Sequence, residues 1–458
     1  VFEETVDFDP GMGTFNLSSA GDADFFISKL DSAGHFVWAL AIGGTGTDNS
    51  FSIAVDPTGN GDVFTTGAFS ETVDFDPGME TYTLTSLGYK DVFISKIDGT
   101  GNFIWTKAIA GNKIDQGYSI AIDPGGSGDI YISGKFTGKV DFDPGPDSFN
   151  LTATVRPNIF ISKLNESGQF EWAKAMRGID GDYSNTSLAI DSEGNEHVYT
   201  AGNFMGMVDF DPGEYPYCLT ADGFADIFIS ALDGSGHFEW ANAIGGSGAD
   251  ACFSIAIDPS GSGDIYTTGL FERTVDFDPG TGTFTLTAAG LDIFISRFDN
   301  TGNFVWAKSV TGANEDNGLS VALDAFGNLY VAGYFSSPSI SLDSIILKNA
   351  DSSGTSSNMF VAKLKDVATP TFQLYSGEQQ IRSYPNPVKD LVTIGINGNT
   401  YDQMNITLFS VYGERVFSDK IQYWRYDVPI DISMLPAGVY FVYVDIAGNR
   451  MVNKVVKE

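Results

Sequence analysis

Paired carboxylates are the first residues in this chain whose type and spacing could do chemistry. Asp7/Asp9, Asp74/Asp76, Asp141/Asp143, Asp209/Asp211 and Asp276/Asp278 each sit inside the phrase Val-Asp-Phe-Asp-Pro-Gly. Side chains two residues apart on a strand point to one side, so each pair could share a hard cation such as Ca2+. Calcium takes about six to eight oxygens, and its best-known protein loop runs to about twelve residues; this phrase is far from that loop. The following Pro-Gly offers a simpler account, in which Val and Phe face a core, the Asp residues face water and Asp-Pro-Gly turns the chain. The turn reading is preferred. A structural Ca2+ held there would stiffen the units without catalysis, and no other cofactor is expected.

The remaining reactive types point away from an active site. Gly43-Gly44-Thr45-Gly46 and Gly245-Gly246-Ser247-Gly248 look like a phosphate cradle, but no helix N-terminus or lysine follows them, as phosphate binding would require. They read as turns. His35 and His237 share a repeat position that holds Asn102, Gln169 and Asn303 elsewhere, so it is a polar turn site. His197 stands alone near a turn and is expected to be solvated. No Ser-His-Asp or Cys-His arrangement can be assembled. Cys218 and Cys252 form no close pair of the zinc type; a disulfide and two separate buried thiols both remain open. Five tryptophans could offer faces to sugar rings, but their place in every unit favours packing between units.

The elements that position these residues come in tandem. Trp38, Trp105, Trp172, Trp240 and Trp306 stand 67, 67, 68 and 66 residues apart, each in Gly-x-Phe-x-Trp. Phe-Ile-Ser-Lys-Leu or a variant starts at Phe26, Phe93, Phe160, Phe228, Phe294 and, degenerate, at Phe360. Within one unit, Phe103–Ile109, Ser119–Ile122, Asp129–Ser133 and Asn158–Leu164 alternate apolar and polar residues, the pattern of half-buried strands. Four strands per unit with a recurrent aromatic predict propeller blades. Counting phrases gives five complete four-stranded blades and one leftover strand near Phe26, as expected of a fragment of a six- or seven-bladed ring that begins at Val1 inside a unit.

Composition sets further bounds. Acidic residues number 59 against 25 basic ones, a net charge of −34. Such a surface repels phosphate backbones, which excludes nucleic acid as a partner. No apolar run reaches the length of about 20 residues that a membrane helix needs. From Ile381 onward, eight basic residues balance eight acidic ones, which marks a boundary. The expected division is 1–365 repeats, 366–380 linker and 381–458 a small β domain. That last domain is predicted to have strands at Leu391–Ile396, Ile406–Val411, Gly438–Asp445 and Arg450–Lys457.

Two resemblances follow from quoted motifs. Trp38 to Gly44, Trp240 to Gly246, Ser254 to Pro259 and Gly128 to Gly134 resemble the bacterial seven-bladed propeller repeats, over about Val1 to Lys365. That family is defined by fold and implies no single activity. The tail resembles the C-terminal sorting domain of the type IX (Por) secretion system of Bacteroidetes. The motifs are Tyr384, Pro385, Asn386 and Pro387; Leu408 to Val416 around Gly413; Leu435, Pro436, Gly438 and Tyr440; and Lys454 to Lys457. The resemblance implies an immunoglobulin-like β-sandwich, recognition by the translocon and a sortase, and a secreted or outer-membrane surface-anchored product.

The sequence thus predicts an all-β, exported tandem propeller that binds an extracellular protein or glycan without catalysis. The alternatives are a glycan hydrolase or lyase using carboxylates around a central channel, and a spacer displaying an upstream domain. An enzyme should break repeat symmetry, and the copy after Trp172 departs most, at Gly181-Asp182-Tyr183 and Glu193-Gly194-Asn195-Glu196; the last copy lacks Asp-x-Asp.

Overall fold

The computed structural model describes residues 1–178, 183–191, 196–259, 261–324, 327–342, 345–351, 356–364, 381–384, 387–396, 401–410, 415–424, 428–446 and 449–457. The described residues are strands, turns and short connections, with no helix. Two compact units divide the chain. One is Val1–Ala322 with Tyr330–Lys363; the other is Leu323–Leu329 with Leu364–Glu458.

In the first unit the repeats build antiparallel meanders of four strands, here lettered a to d. Asn49–Val55, Val63–Phe69, Asp91–Ile97 and Phe103–Gly111 are a to d of the first complete module. The second begins with Gln116–Ile122 and ends with Phe170–Gly178. The third runs from Tyr183–Ile190 to Phe238–Gly246, and the fourth from Ala251–Ile257 to Phe304–Val310. Before them, Phe25–Leu30 pairs with Phe36–Gly44 as strands c and d. After them, Asp316–Leu323, Leu329–Phe335 and Asn358–Leu364 form a three-stranded sheet.

The described residues therefore hold four complete meanders, not five, and the strand near Phe26 has a partner. The expected grouping fails because the Trp strand folds back across the tight Gly turn onto the Phe-Ile-Ser-Lys strand before it. A unit counted from Trp thus straddles two sheets.

Burial follows position in the meander. Strands b and c of the first and third modules are buried along their whole length, while strand d is buried only at Thr106, Ile109 and Gly111 of the first module and Ala241 and Ile244 of the third. The Val-Asp-Phe-Asp-Pro-Gly phrase forms a hairpin between b and c. Its valine and phenylalanine point inward, with Val73, Val140, Val208, Val275, Phe75, Phe142, Phe210 and Phe277 each 0% exposed. Phe142 lies 5.2 Å from Phe136 and 5.1 Å from Phe160, and the same three-ring cluster recurs in every complete module.

Three contacts tie each module to the next. The hairpin pairs with the end of the preceding strand d, as in Gly43 with Asp74 and Ala110 with Asp141. Neighbouring a strands are joined by a serine: the backbone N–H of Ile120 donates to Ser52 Oγ at 3.2 Å, Leu188 to Ser119, Ile255 to Ser187 and Val321 to Ser254. Finally, the rings of Trp38, Trp105, Trp172 and Trp240 rest on the glycine of the following c–d turn. Gly168 has φ of 73°, and a Cβ there would meet Trp105 at 3.1 Å, so this position requires glycine for both conformation and space.

The second unit holds a three-stranded sheet of Ile381–Tyr384, Leu391–Ile396 and Val428–Asp431, and a four-stranded sheet of Arg415–Trp424, Tyr401–Ser410, Gly438–Ile446 and Asn449–Lys457. Three of the expected strands are present within one residue of their predicted limits, and the second begins at Tyr401 rather than Ile406. Ile381–Tyr384, Arg415–Trp424 and Val428–Asp431 were not foreseen. One core joins the sheets: Val392, Ile394 and Ile430 from the first, Leu408, Val442 and Val455 from the second. The 366–380 segment lies outside the described residues.

Candidate functional site

The a–b and c–d turns gather at one end of each module. Their side chains are mostly occupied in holding their own turns. Asp98 accepts N–H bonds from Thr100 and Asn102 and side-chain bonds from both. The Thr100 hydroxyl, with the Asn102 groups, holds its carboxyl far below the usual carboxylate range. His35 and His237 do what Asn102 does, with Nδ1 3.0 Å from Asp31 and Asp233 respectively.

Beneath these turns a second repeated arrangement appears, which the sequence reading missed. A basic residue of strand c lies over an aromatic ring of strand b and pairs with the last Asp of the a–b turn. Lys96 covers Phe64 and meets Asp62 at 2.9 Å. Lys163 covers Tyr131 and meets Asp129 at 2.7 Å, and Arg297 covers Tyr266 and pairs with Asp264. Trp105, Trp172 and Trp306 pack edge-on against the same rings. The signal was available: Lys or Arg recurs in the Phe-Ile-Ser-Lys strand in register with the Asp of Gly-Asp.

Symmetry breaks at the seam between the second and third modules. The third module has Ala231 where the others have Lys or Arg, and His197 where they have Asp. His197 is not solvated as expected. Its side chain is 22% exposed, Nε2 lies 3.3 Å from Glu239, and Nδ1 is buried with no hydrogen-bond partner. The ring fills space over Tyr199 that a lysine would take, 6.0 Å between centroids. Glu239 and Glu171 stand at the bulge between Phe and Trp of strand d, where the other copies have Val37, Ile104 and Val305.

On the other side of the seam, Lys163 gathers Asp129, Glu171 at 3.3 Å and Glu196 at 3.1 Å. Glu196 also accepts from the Tyr131 hydroxyl at 2.9 Å, and its φ of 51° lies in the left-handed region. Burial opposes the Lys163 charge, but bonds to Asp129, Tyr131 and Glu196 outweigh it and hold the ammonium above the ordinary lysine value. Replacing Lys163 with Met leaves these carboxylates facing one another without a cation. The expected cost is about 1.5–3 kcal/mol, that of losing hydrogen bonds to a charged group, read from denaturant unfolding by tryptophan fluorescence; a loss under about 0.5 kcal/mol would mean the pairing carries no stability. The rest of this departing copy, residues 179–182 and 192–195, lies outside the described residues.

The Asp-x-Asp pairs are separated from this site, at the hairpins. Their first carboxylates are not simply turned to water. Asp74 Oδ1 accepts from the N–H groups of Asp76 and Tyr82, and Asp7, Asp141, Asp209 and Asp276 repeat the pattern across their own hairpins. The second carboxylates, Asp9, Asp76, Asp143, Asp211 and Asp278, each accept from the glycine N–H two residues on. Both are backbone caps of the turn type. Neither cysteine is in a disulfide: Cys252 is buried, with its thiol pushed up to about 12 by burial, and Cys218 is exposed.

In the second unit, Pro385, Asn386 and Gly413 lie outside the described residues. Tyr384 ends a strand, Pro387 is exposed and Gly438 opens a strand. The backbone N–H of Leu435 donates to Ile432, and the Tyr440 hydroxyl donates to the Pro436 carbonyl at 2.7 Å. Lys454 is exposed, whereas Lys457 is buried, with Nζ donating to the carbonyls of Lys389 and Ser433.

Comparison with known proteins places residues 382–458 in the family of secretion-system C-terminal sorting domains, which marks the chain as secreted or attached to the outer-membrane surface. Over 401 residues the chain is 27% identical to an uncharacterized WD repeat-containing protein of Acanthamoeba polyphaga mimivirus, covering 73% of this chain and 28% of that protein. Over 128 residues it is 28% identical to the regulatory protein FlaEY of Caulobacter vibrioides, covering 27% of this chain and 13% of that protein. The chain spans well under a third of the length of either relative. No described helix is long and apolar enough to cross a membrane.

Proposed function

We propose that the chain is an exported propeller-type repeat protein whose turn-bearing module ends form a non-catalytic binding surface for an extracellular protein or glycan. In this reading the type IX translocon recognises the C-terminal unit, folded as an immunoglobulin-like sandwich, and a sortase completes surface attachment. The observation that carries the binding reading is how the turn end is built. Its repeated Asp, Asn and His side chains hold turns and seams, which leaves a rigid, acidic frame on which single-copy residues vary. Similarity to a WD repeat-containing protein supports the propeller, and the serine bonds between successive a strands suit strands ranged side by side around an axis.

The second reading is a glycan-cleaving enzyme, favoured by the break in symmetry at His197, Glu239, Glu171 and Glu196. A glycan and protein array probed with the whole chain, alongside a reducing-sugar assay on the bound polysaccharides, separates the two. Saturable binding without turnover is the expected result, weakened by Glu239→Gln and His197→Gln together. Turnover abolished by Glu239→Gln would replace binding with hydrolysis, and absence of any ligand would favour a spacer.

A further inference from the structure

At the end of each module opposite the turns, two aspartates meet where strand d passes into the next strand a. The pairs are Asp24/Asp48, Asp91/Asp115, Asp226/Asp250 and Asp292/Asp316, and all eight residues are at most 3% exposed. Both carboxyls of a pair converge on one glycine or on two adjacent ones. Gly44 N donates to Asp48 Oδ2 at 2.8 Å and Gly246 N to Asp250 Oδ2 at 3.0 Å. In the other two junctions the same amide goes to the other partner, Gly111 N to Asp91 Oδ1 and Gly312 N to Asp292 Oδ1, each at 3.1 Å.

The oxygen that loses the amide lies against the same glycines. A Cβ on Gly43 would fall 2.1 Å from Asp24 Oδ1, one on Gly245 2.4 Å from Asp226 Oδ1, and one on Gly111 2.7 Å from Asp115 Oδ2. These three oxygens are buried with no hydrogen-bond partner. In the fourth junction, Asp316 Oδ2 takes the Ser337 hydroxyl instead. The remaining oxygens are capped by backbone N–H groups, as Asp24 by Ala20 and Asp48 by Ser70.

We propose that each of these junctions binds one proton between its two carboxyls, so that the seams between modules are held by a shared acid proton and loosen as it is lost. Two buried like charges of this kind cannot both ionise at ordinary cost. Among the described residues, the charged groups that act on them do not compensate: Glu272 acts on Asp250, Asp222 on Asp226 and Glu315 on Asp316, and of the eight only Asp48 is acted on by a cation, Lys90. The second module supplies the independent observation. It carries Asn158 at the position of Asp91, and Gly178 N donates to Asn158 Oδ1 at 3.3 Å. An amide, like a protonated carboxyl, carries no charge, so this position of the second module is neutral at every pH.

Burial raises the acids of all four pairs, Asp115 and Asp250 to about 7 from the usual 3.8. A carboxyl raised on folding binds its proton more tightly in the folded chain. Its stabilisation is complete below the unfolded value and is lost as pH rises toward the folded one. The whole chain is therefore expected to melt roughly 5–10 °C lower at about pH 8.5 than at about pH 5, followed by tryptophan fluorescence in the presence of chelator.

The variant carrying Asp24→Asn, Asp91→Asn, Asp226→Asn and Asp292→Asn, which leaves one carboxyl in each of these pairs, should show a smaller fall in melting temperature across that range and melt above the native chain at the alkaline end. Infrared spectra of the native chain at neutral pH should show the carbonyl stretch of protonated carboxylic acids, which fades with alkali. A melting temperature that is level or rises with pH, or an absent acid band, would overturn the proposal. So would a chelator-induced fall in melting that Ca2+ reverses, since a metal would then occupy the site.

Discussion

A chain that ends before residue 382 is expected to fold its repeats and remain inside the cell. Among the described residues, the hydrophobic clusters of the repeats include none from residues 382–458, so truncation leaves those clusters whole. The sorting unit has its own core, of Val388, Val392, Leu408, Tyr440, Val442 and Val455 among others. In a bacterium with a type IX system, surface and culture-medium pools of the truncated chain should be nearly empty while the periplasmic pool carries native tryptophan fluorescence. An undiminished external pool would refute the sorting role.

The two basic residues at the end then separate signal from scaffold. Lys457 is buried and donates to two carbonyls, charge-assisted bonds whose loss costs about 1.5–3 kcal/mol, so Lys457→Ala should weaken the unit itself. Lys454 is exposed, and Lys454→Ala should leave folding intact. An export defect confined to Lys454→Ala would identify a surface charge as the feature read by the translocon.

Period was the most legible property of this sequence, and phase the least. The Trp and Phe-Ile-Ser-Lys phrases give the repeat, its strands and its inward Val and Phe directly, because burial of alternate residues is written into composition. Where one sheet stops is a question of pairing partner. Trp105 belongs with Lys96 rather than with the strand after it, and no residue type distinguishes those options. Aspartate shows the same limit. Asp98 caps an exposed turn and Asp115 lies buried at a seam, yet both recur with the period of the repeat; depth, which separates them, is tertiary. His197 reads as an isolated polar residue until Ala231 is seen to have removed the lysine whose place it fills. The second unit was legible through four ordered motifs, whereas burial of Lys457 depends on the carbonyls of Lys389 and Ser433, which are distant in sequence.

Removing one ring from a hairpin cluster should produce the largest loss in stability of any single substitution in the repeats. Phe142 is 0% exposed, between Phe136 and Phe160, and anchors the hairpin that Ala110 and Gly111 pair with across the seam. Phe142→Ala leaves a cavity that the rigid flanking strands cannot close, at a cost of about 3–5 kcal/mol. Because repeats unfold as coupled neighbours, the loss should appear first around Trp105 and Trp172, through fluorescence or hydrogen exchange of the second module. The same phrase supplies its own control. Phe8 is partly exposed and, among the described residues, its ring meets those of Phe2 and Phe26, so Phe8→Ala should cost about 1–2 kcal/mol. If the two substitutions cost the same, the hairpin phenylalanines stabilise their own turns and not the seams. If Phe142→Ala costs several times more, the ring's energy comes from the modules packed around it, and a motif identical in sequence at both positions owes its strength to the neighbours that the stack supplies.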